Sequence, residues 1–169
     1  MKTFILPGYS EKNKVWVQET SNNLKPLFDT TEIYWPHWSS GQTKDNWIED
    51  EVSRIITSTE NQNINVIAKS VGTIVATTLI KTNLHLINKI ILCGIPFKDF
   101  MVGDEKIYEV LKELPPEKIL CIQNENDNHG NFESVKQLIL SINPNIKVIS
   151  KPRADHEYPY FEDFIEFLK

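Results

Sequence analysis

Cysteine is scarce in this chain. The two present, Cys93 and Cys121, each lie inside an apolar run, which reads as two buried thiols rather than a disulfide framework. No apolar run approaches the roughly 18 residues that a membrane-spanning helix needs. The opening Met1-Lys2-Thr3-Phe4-Ile5-Leu6-Pro7-Gly8 breaks at Pro-Gly too early for a secretory signal. The expectation is therefore a cytoplasmic protein with no membrane span. Basic clusters are missing as well. The 18 Lys and Arg are outnumbered by 23 Asp and Glu, for a net charge of −5 and a pI of about 5.4, which argues against a nucleic-acid partner. The four histidines and two cysteines show no zinc-type spacing, so no metal is expected. Lys69-Ser70 has the ending of a phosphate-binding loop, but the glycines that would cradle a phosphate are absent.

What is present is an ordinary globular composition, 40% hydrophobic and 24% charged over 169 residues. That length suits one domain, 1–169, with a real core. Six short runs read as strands: Thr3–Leu6, Glu32–Trp35, Ile64–Ala68, Lys89–Cys93, Lys118–Ile122 and Ile146–Ile149. Most are continuously apolar rather than alternating, as strands buried on both faces of a parallel sheet must be. Helical periodicity fills the gaps, at Trp16–Phe28, Trp47–Ile56, Val71–Leu79, Phe132–Ile142 and Tyr160–Leu168, with a less regular helix over 99–113. Strands alternating with helices predict an α/β fold with a parallel sheet between two helical layers.

Three polar residues follow apolar runs in the order Ser70, Asp127, His156. Ser70 lies in Ala68-Lys69-Ser70-Val71-Gly72, a near match to the G-x-S-x-G turn that lifts a serine hydroxyl above a sheet. Residues two before and two after that serine must be small, and Ala68 and Gly72 are. A serine becomes a nucleophile when a histidine takes its proton, and a carboxylate behind the histidine fixes its tautomer. Asp127 is the candidate acid by chain order, with Asp99, Glu125 and Asp155 as rivals and Asp99 next in line. The two backbone donors that would stabilise an oxyanion are the N–H of Val71, after the serine, and that of Tyr9, in the loop after the first strand. His37 and His129 fall in loops after strands and are candidates for lining the pocket, and Trp35, Trp38 and Tyr9 for an aromatic wall near the serine. Each residue also has a plain reading: Ser70 as a helix N-cap, Asp127 as a turn residue, His156 as a capping or surface histidine, and the aromatics as packing under loops.

With these motifs in view, the chain resembles the α/β-hydrolase superfamily, and within it the small lidless serine hydrolases of the retinoblastoma-binding-protein and YdeN type. The resemblance rests on Leu6-Pro7-Gly8 with Trp16, Trp47-Ile48, Ala68 to Gly72, Asn126-Asp127 and Asp155-His156, and so spans nearly the whole chain. It implies a three-layer α/β/α sandwich with a six-stranded parallel sheet in the order 2-1-3-4-5-6 and no lid domain. It implies a serine hydrolase acting on a small acyl substrate, usually an ester, with Ser70 as nucleophile, Asp127 as acid, His156 as base and no cofactor. Two departures matter. Ala68 replaces the usual first glycine, and Lys69 stands where many relatives have histidine, either favouring an anionic substrate or facing away. Two rivals remain: a non-catalytic interaction protein that keeps the fold with an inactive triad, its protein partner unspecified, and a flavodoxin-like nucleotide-binding domain, for which Leu6-Pro7-Gly8-Tyr9 is a poor first loop.

Overall fold

A computed structural model describes all of residues 1–169. Five strands form where the apolar runs place them: β1 (Lys2–Leu6), β3 (Ile64–Lys69), β4 (Ile87–Cys93), β5 (Ile119–Asn124) and β6 (Lys147–Lys151). Every residue of β3 and β5 is buried, which explains why their sequences lack polar alternation. The second strand differs from expectation. β2 is Asp29–Glu32, not Glu32–Trp35. It lies at the sheet edge with β1 as its one neighbour, in the register Lys2↔Asp29 to Ile5↔Glu32. An edge strand tolerates polar residues, so Asp-Thr-Thr-Glu carries the pairing. The apolar Ile33 and Trp35 enter the core just beyond it, although Ile33 N–H still reaches Ile5 O at 3.2 Å.

All neighbouring strands are parallel, in the order β2-β1-β3-β4-β5-β6. Parallel neighbours need crossovers, supplied by α1 (Lys14–Leu24), α2 (His37–Ser40), α3 (Trp47–Thr59), α4 (Val71–Asn83) and α5 (Phe132–Ile142), with α6 (Phe161–Leu168) closing the chain. Side chains alternate across each strand, and the core divides accordingly. Phe4, Leu6, Val66, Ala68, Ile90 and Leu92 face α3, α4 and α5. Ile5, Ile67, Ile91 and Cys93 face α1 and α6 through Trp16, Val17, Phe164 and Leu168. The layers are those of an α/β/α sandwich. No helix is long and apolar enough to cross a membrane.

The link between β4 and β5 carries no α-helix. It holds 3-10 turns at Phe97–Asp99 and Asp104–Glu113, where the sequence predicts an irregular helix. Tyr108 pins the longer one to α4, its hydroxyl 2.6 Å from Thr73 Oγ1 in a buried contact. No separate lid layer exists.

Gly72, in the first turn of α4, sets how closely that helix approaches the end of β1. A Cβ there would lie 2.5 Å from Leu6 O and 2.7 Å from Pro7 O. Both are backbone atoms and neither can move aside without shifting β1. We expect Gly72→Ala to lower unfolding free energy by about 1–3 kcal/mol, as overpacking does, measured by urea denaturation. A change within about 0.3 kcal/mol would show that α4 and β1 separate freely.

Candidate active site

Ser70 joins β3 to α4 with φ 56° and ψ −124°, a left-handed conformation that non-glycine residues rarely adopt. Three hydrogen bonds hold it there. Ser70 N–H donates to Cys93 O at 2.9 Å, and Ser70 O accepts from Thr73 N–H at 2.8 Å and Thr73 Oγ1 at 2.6 Å. The side chain makes no capping bond to α4, so the turn does not use this serine as an N-cap. Val71 then begins the helix, where the first N–H groups have no intrahelical acceptor and face the positive dipole end.

Asp127 and His156 meet at the same end of the sheet. Asp127 sits in the turn after β5, and His156 in the loop between β6 and α6. His156 Nδ1 is 2.7 Å from Asp127 Oδ2. Tyr158 donates its hydroxyl to the same oxygen, and His129 N–H donates to Oδ1 at 2.8 Å. Burial pushes the Asp127 carboxyl up, but the bonds from His156, Tyr158 and His129 outweigh it and hold the group below its usual value of 3.8. Tyr158 is pushed up, first by burial and then by its bond to Asp127, and so stays a donor. None of the rival acids bonds His156: Asp99 borders the cleft but binds His129 Nδ1 at 2.6 Å, Asp155 is paired with Arg153, and Glu125 is exposed.

His156 Nε2 is buried without a hydrogen-bond partner. The His156 residue borders a cleft of about 400 Å³ that Ser70, Val71, Tyr9, His129 and Phe100 also line. Ser70 does not hydrogen-bond Nε2 here; such contacts are commonly long in ligand-free enzymes and tighten when substrate binds.

His129 borders this cleft. Trp35, His37 and Trp38 do not. They stand behind Tyr9, because the chain turns into α2 immediately after Trp35 and carries those rings to the outer side of the β1 loop. Lys69 faces away from the cleft as well. Strand alternation sends its side chain to the α1 face, where it is buried with Nζ 2.8 Å from Glu157 and 5.7 Å from the centre of the Trp16 ring.

Two supporting residues escape a reading of sequence. Tyr158 holds Asp127 and accepts from Asn124 N–H at 3.1 Å. Gln123 is buried at the end of β5, accepts from Ile95 N–H at 2.9 Å and donates to Gly130 O at 2.6 Å, tying together the loops after β4 and β5. The one available signal is that Gln123-Asn124 ends an otherwise apolar strand. Gly94 supports the site too: at φ 60°, its missing Cβ would sit 2.5 Å from the Tyr158 ring and 3.0 Å from His156, so a side chain there would displace the histidine.

A parallel sheet of this order, with a strained serine between the third strand and the helix after it, defines the α/β-hydrolase class. An alpha/beta hydrolase domain model matches residues 40–162, and the chain belongs to that family. Solved structures of the same fold include an alpha-beta serine hydrolase homologue from Coxiella burnetii, with a TM-score of 0.73 and 18% identity over 99% of this chain and 83% of that one. Est1E from Butyrivibrio proteoclasticus gives a TM-score of 0.72 at 12% identity, over 99% and 87% of the two chains. A serine hydrolase without lid from Xanthomonas campestris gives 0.67 at 14%, over 98% and 76%. No curated protein sequence matches the chain.

The lowered Asp127 value ties stability to acid pH. Its contribution is complete above the unfolded carboxyl value of about 3.9 and is lost as pH falls through the lower folded one. Between pH 5 and 2, wild-type stability should therefore fall more steeply than that of Asp127→Asn, read as urea midpoints. Parallel curves would mean the Asp127 carboxyl titrates alike in both states.

Proposed function

We propose that this chain is a serine hydrolase cleaving a small ester, thioester or related acyl substrate through an acyl-enzyme. Family membership supports hydrolysis in general. The observation that carries the finer reading is His156, with one ring nitrogen on a buried carboxylate, the other without a hydrogen-bond partner, and its ring bordering the same cleft as Ser70.

In this mechanism Ser70 Oγ attacks the carbonyl carbon while its proton passes to His156 Nε2. Asp127 fixes the tautomer with the proton on Nδ1 and stabilises the imidazolium. The tetrahedral oxyanion is met by the N–H groups of Tyr9 and Val71, neither of which has a protein acceptor. Collapse expels the alcohol or thiol, which takes the proton from His156. Water then attacks the acyl-serine, giving a proton to His156, and collapse releases the acid as that proton passes to the departing Ser70 Oγ. The open cleft without a lid favours a short acyl group, or one presented on a larger molecule.

A non-catalytic interaction protein would be expected to have Asp127 turned from His156, and that is not the geometry found. Labelling with a fluorophosphonate probe tests the reading. Wild type should label and Ser70→Ala should not, with short-chain ester hydrolysis falling about 10⁴–10⁶-fold and Asp127→Asn costing about 10⁴-fold. A folded wild type that neither labels nor hydrolyses would overturn the proposal. Labelling that survives Ser70→Ala would place the nucleophile elsewhere.

A further inference from the structure

The segment Trp35-Pro36-His37-Trp38 lies outside the cleft, yet three of its rings point at the loop that borders it. Trp35 Nε1–H donates to Gly8 O at 3.0 Å, and the ring is 1% exposed. Trp38 Nε1–H donates to Tyr9 O at 2.7 Å. His37 Nε2 lies 2.8 Å from the same oxygen. A carbonyl can only accept, so His37 carries its proton on Nε2. The imidazole also stacks on the Tyr9 ring, centroids 4.3 Å apart, and the Tyr9 hydroxyl reaches Thr43 Oγ1 at 3.0 Å.

These bonds fall on the two peptide planes that flank Tyr9 Cα. A trans peptide directs its N–H opposite to its C=O. Holding Gly8 O against Trp35 therefore turns the Tyr9 N–H away from Trp35. Holding Tyr9 O against His37 and Trp38 fixes the next plane and closes the remaining rotation at Tyr9. Other contacts of the loop, the Tyr9 hydroxyl on Thr43 and the Pro7 carbonyl against Gly72, fall outside these two planes. Gly8 has no side chain, Pro7 has no N–H, and Tyr9 is half exposed. A donor aimed at an oxyanion is effective only when its orientation is set before charge develops.

We propose that Trp35, His37 and Trp38 are positioning residues that set the Tyr9 N–H as an oxyanion donor, with His37 and Trp38 gripping one carbonyl and Trp35 the other. This rests on the serine-hydrolase reading above and extends it to residues that do not touch substrate. A donor lost from such a site lowers the rate of the chemical step by about 10²–10³-fold; a loosened donor falls short of that.

The test is the double variant His37→Phe/Trp38→Phe, which keeps two aromatic rings and removes both donors to Tyr9 O, alongside His37→Gln, which keeps a donor. With a p-nitrophenyl acetate assay, the double variant should lose about 10–100-fold in kcat with KM within twofold, and bind a phenylboronic acid, whose adduct is a tetrahedral anion, correspondingly more weakly. His37→Gln should retain most of kcat. Trp35→Phe should behave as the double variant does. Backbone ¹⁵N relaxation supplies a readout that needs no catalysis: the Tyr9 order parameter should drop from near 0.85 toward 0.6 in the double variant. Unchanged kcat in a folded double variant, or a rise in KM alone, would overturn the proposal. If wild type neither labels nor hydrolyses, the catalytic reading fails by itself, and an unchanged Tyr9 order parameter then rejects the positioning role separately.

Discussion

The backbone of Ser70 is the constraint on which the site depends. Held at positive φ, it stores about 1–3 kcal/mol of strain that only neighbouring contacts can sustain. Those contacts come from two strands and the helix that follows. Cys93 O on β4 takes its N–H, Thr73 returns two bonds to its carbonyl, and Gly72 lets α4 press against the Leu6 and Pro7 carbonyls at the end of β1. The same turn puts Ser70 at the cleft and begins α4 at Val71, against the end of β1. Thr73 is pinned in turn by Tyr108, so the β4–β5 link, where a lid could have been inserted, instead buttresses the elbow.

Around this turn the site is built from the ends of parallel strands, where ligands bind in open α/β sheets. Its electrostatics follow from burial. The Asp127 carboxylate is shielded from water and satisfied by three donors, so it remains an anion beside the His156 ring. Tyr158 serves this carboxylate and packs against Gly94, linking the acid, the histidine loop and the end of β4 through one side chain. Lys69 makes a second link on the opposite face. Its pairing with Glu157 joins the residue before Ser70 to the residue after His156, so the two loops that carry the catalytic pair of the proposed mechanism are tied behind the sheet as well.

Much of this is legible in the sequence. Mostly apolar runs mark β1, β3, β4 and β5, since a strand buried on both faces holds polar residues only where they find partners, as Lys69 and Gln123 do. Chain order and small flanking residues single out Ser70, Asp127 and His156, and the fold brings the last two into contact. What stays hidden has a common origin. β2 was misplaced by three residues because an edge strand pairs on one side only, and buried Ile33 and Trp35 imitate a strand that ends before them. Lys69, Trp35, His37 and Trp38 stand out in the sequence, but where they act does not, since that depends on which way a side chain points.

The amino-acid sequence alone determined the alternation of strand and helix, the small residues at the elbow and the set of residues able to do acyl chemistry, because periodicity and residue type are local properties. Only the tertiary structure decided which carboxylate serves His156, that Lys69 turns to Glu157, and that three aromatic rings grip the carbonyls of the Tyr9 loop. Those are contacts between segments 27 to 88 residues apart, and no local pattern encodes what stands opposite a side chain across a folded sheet.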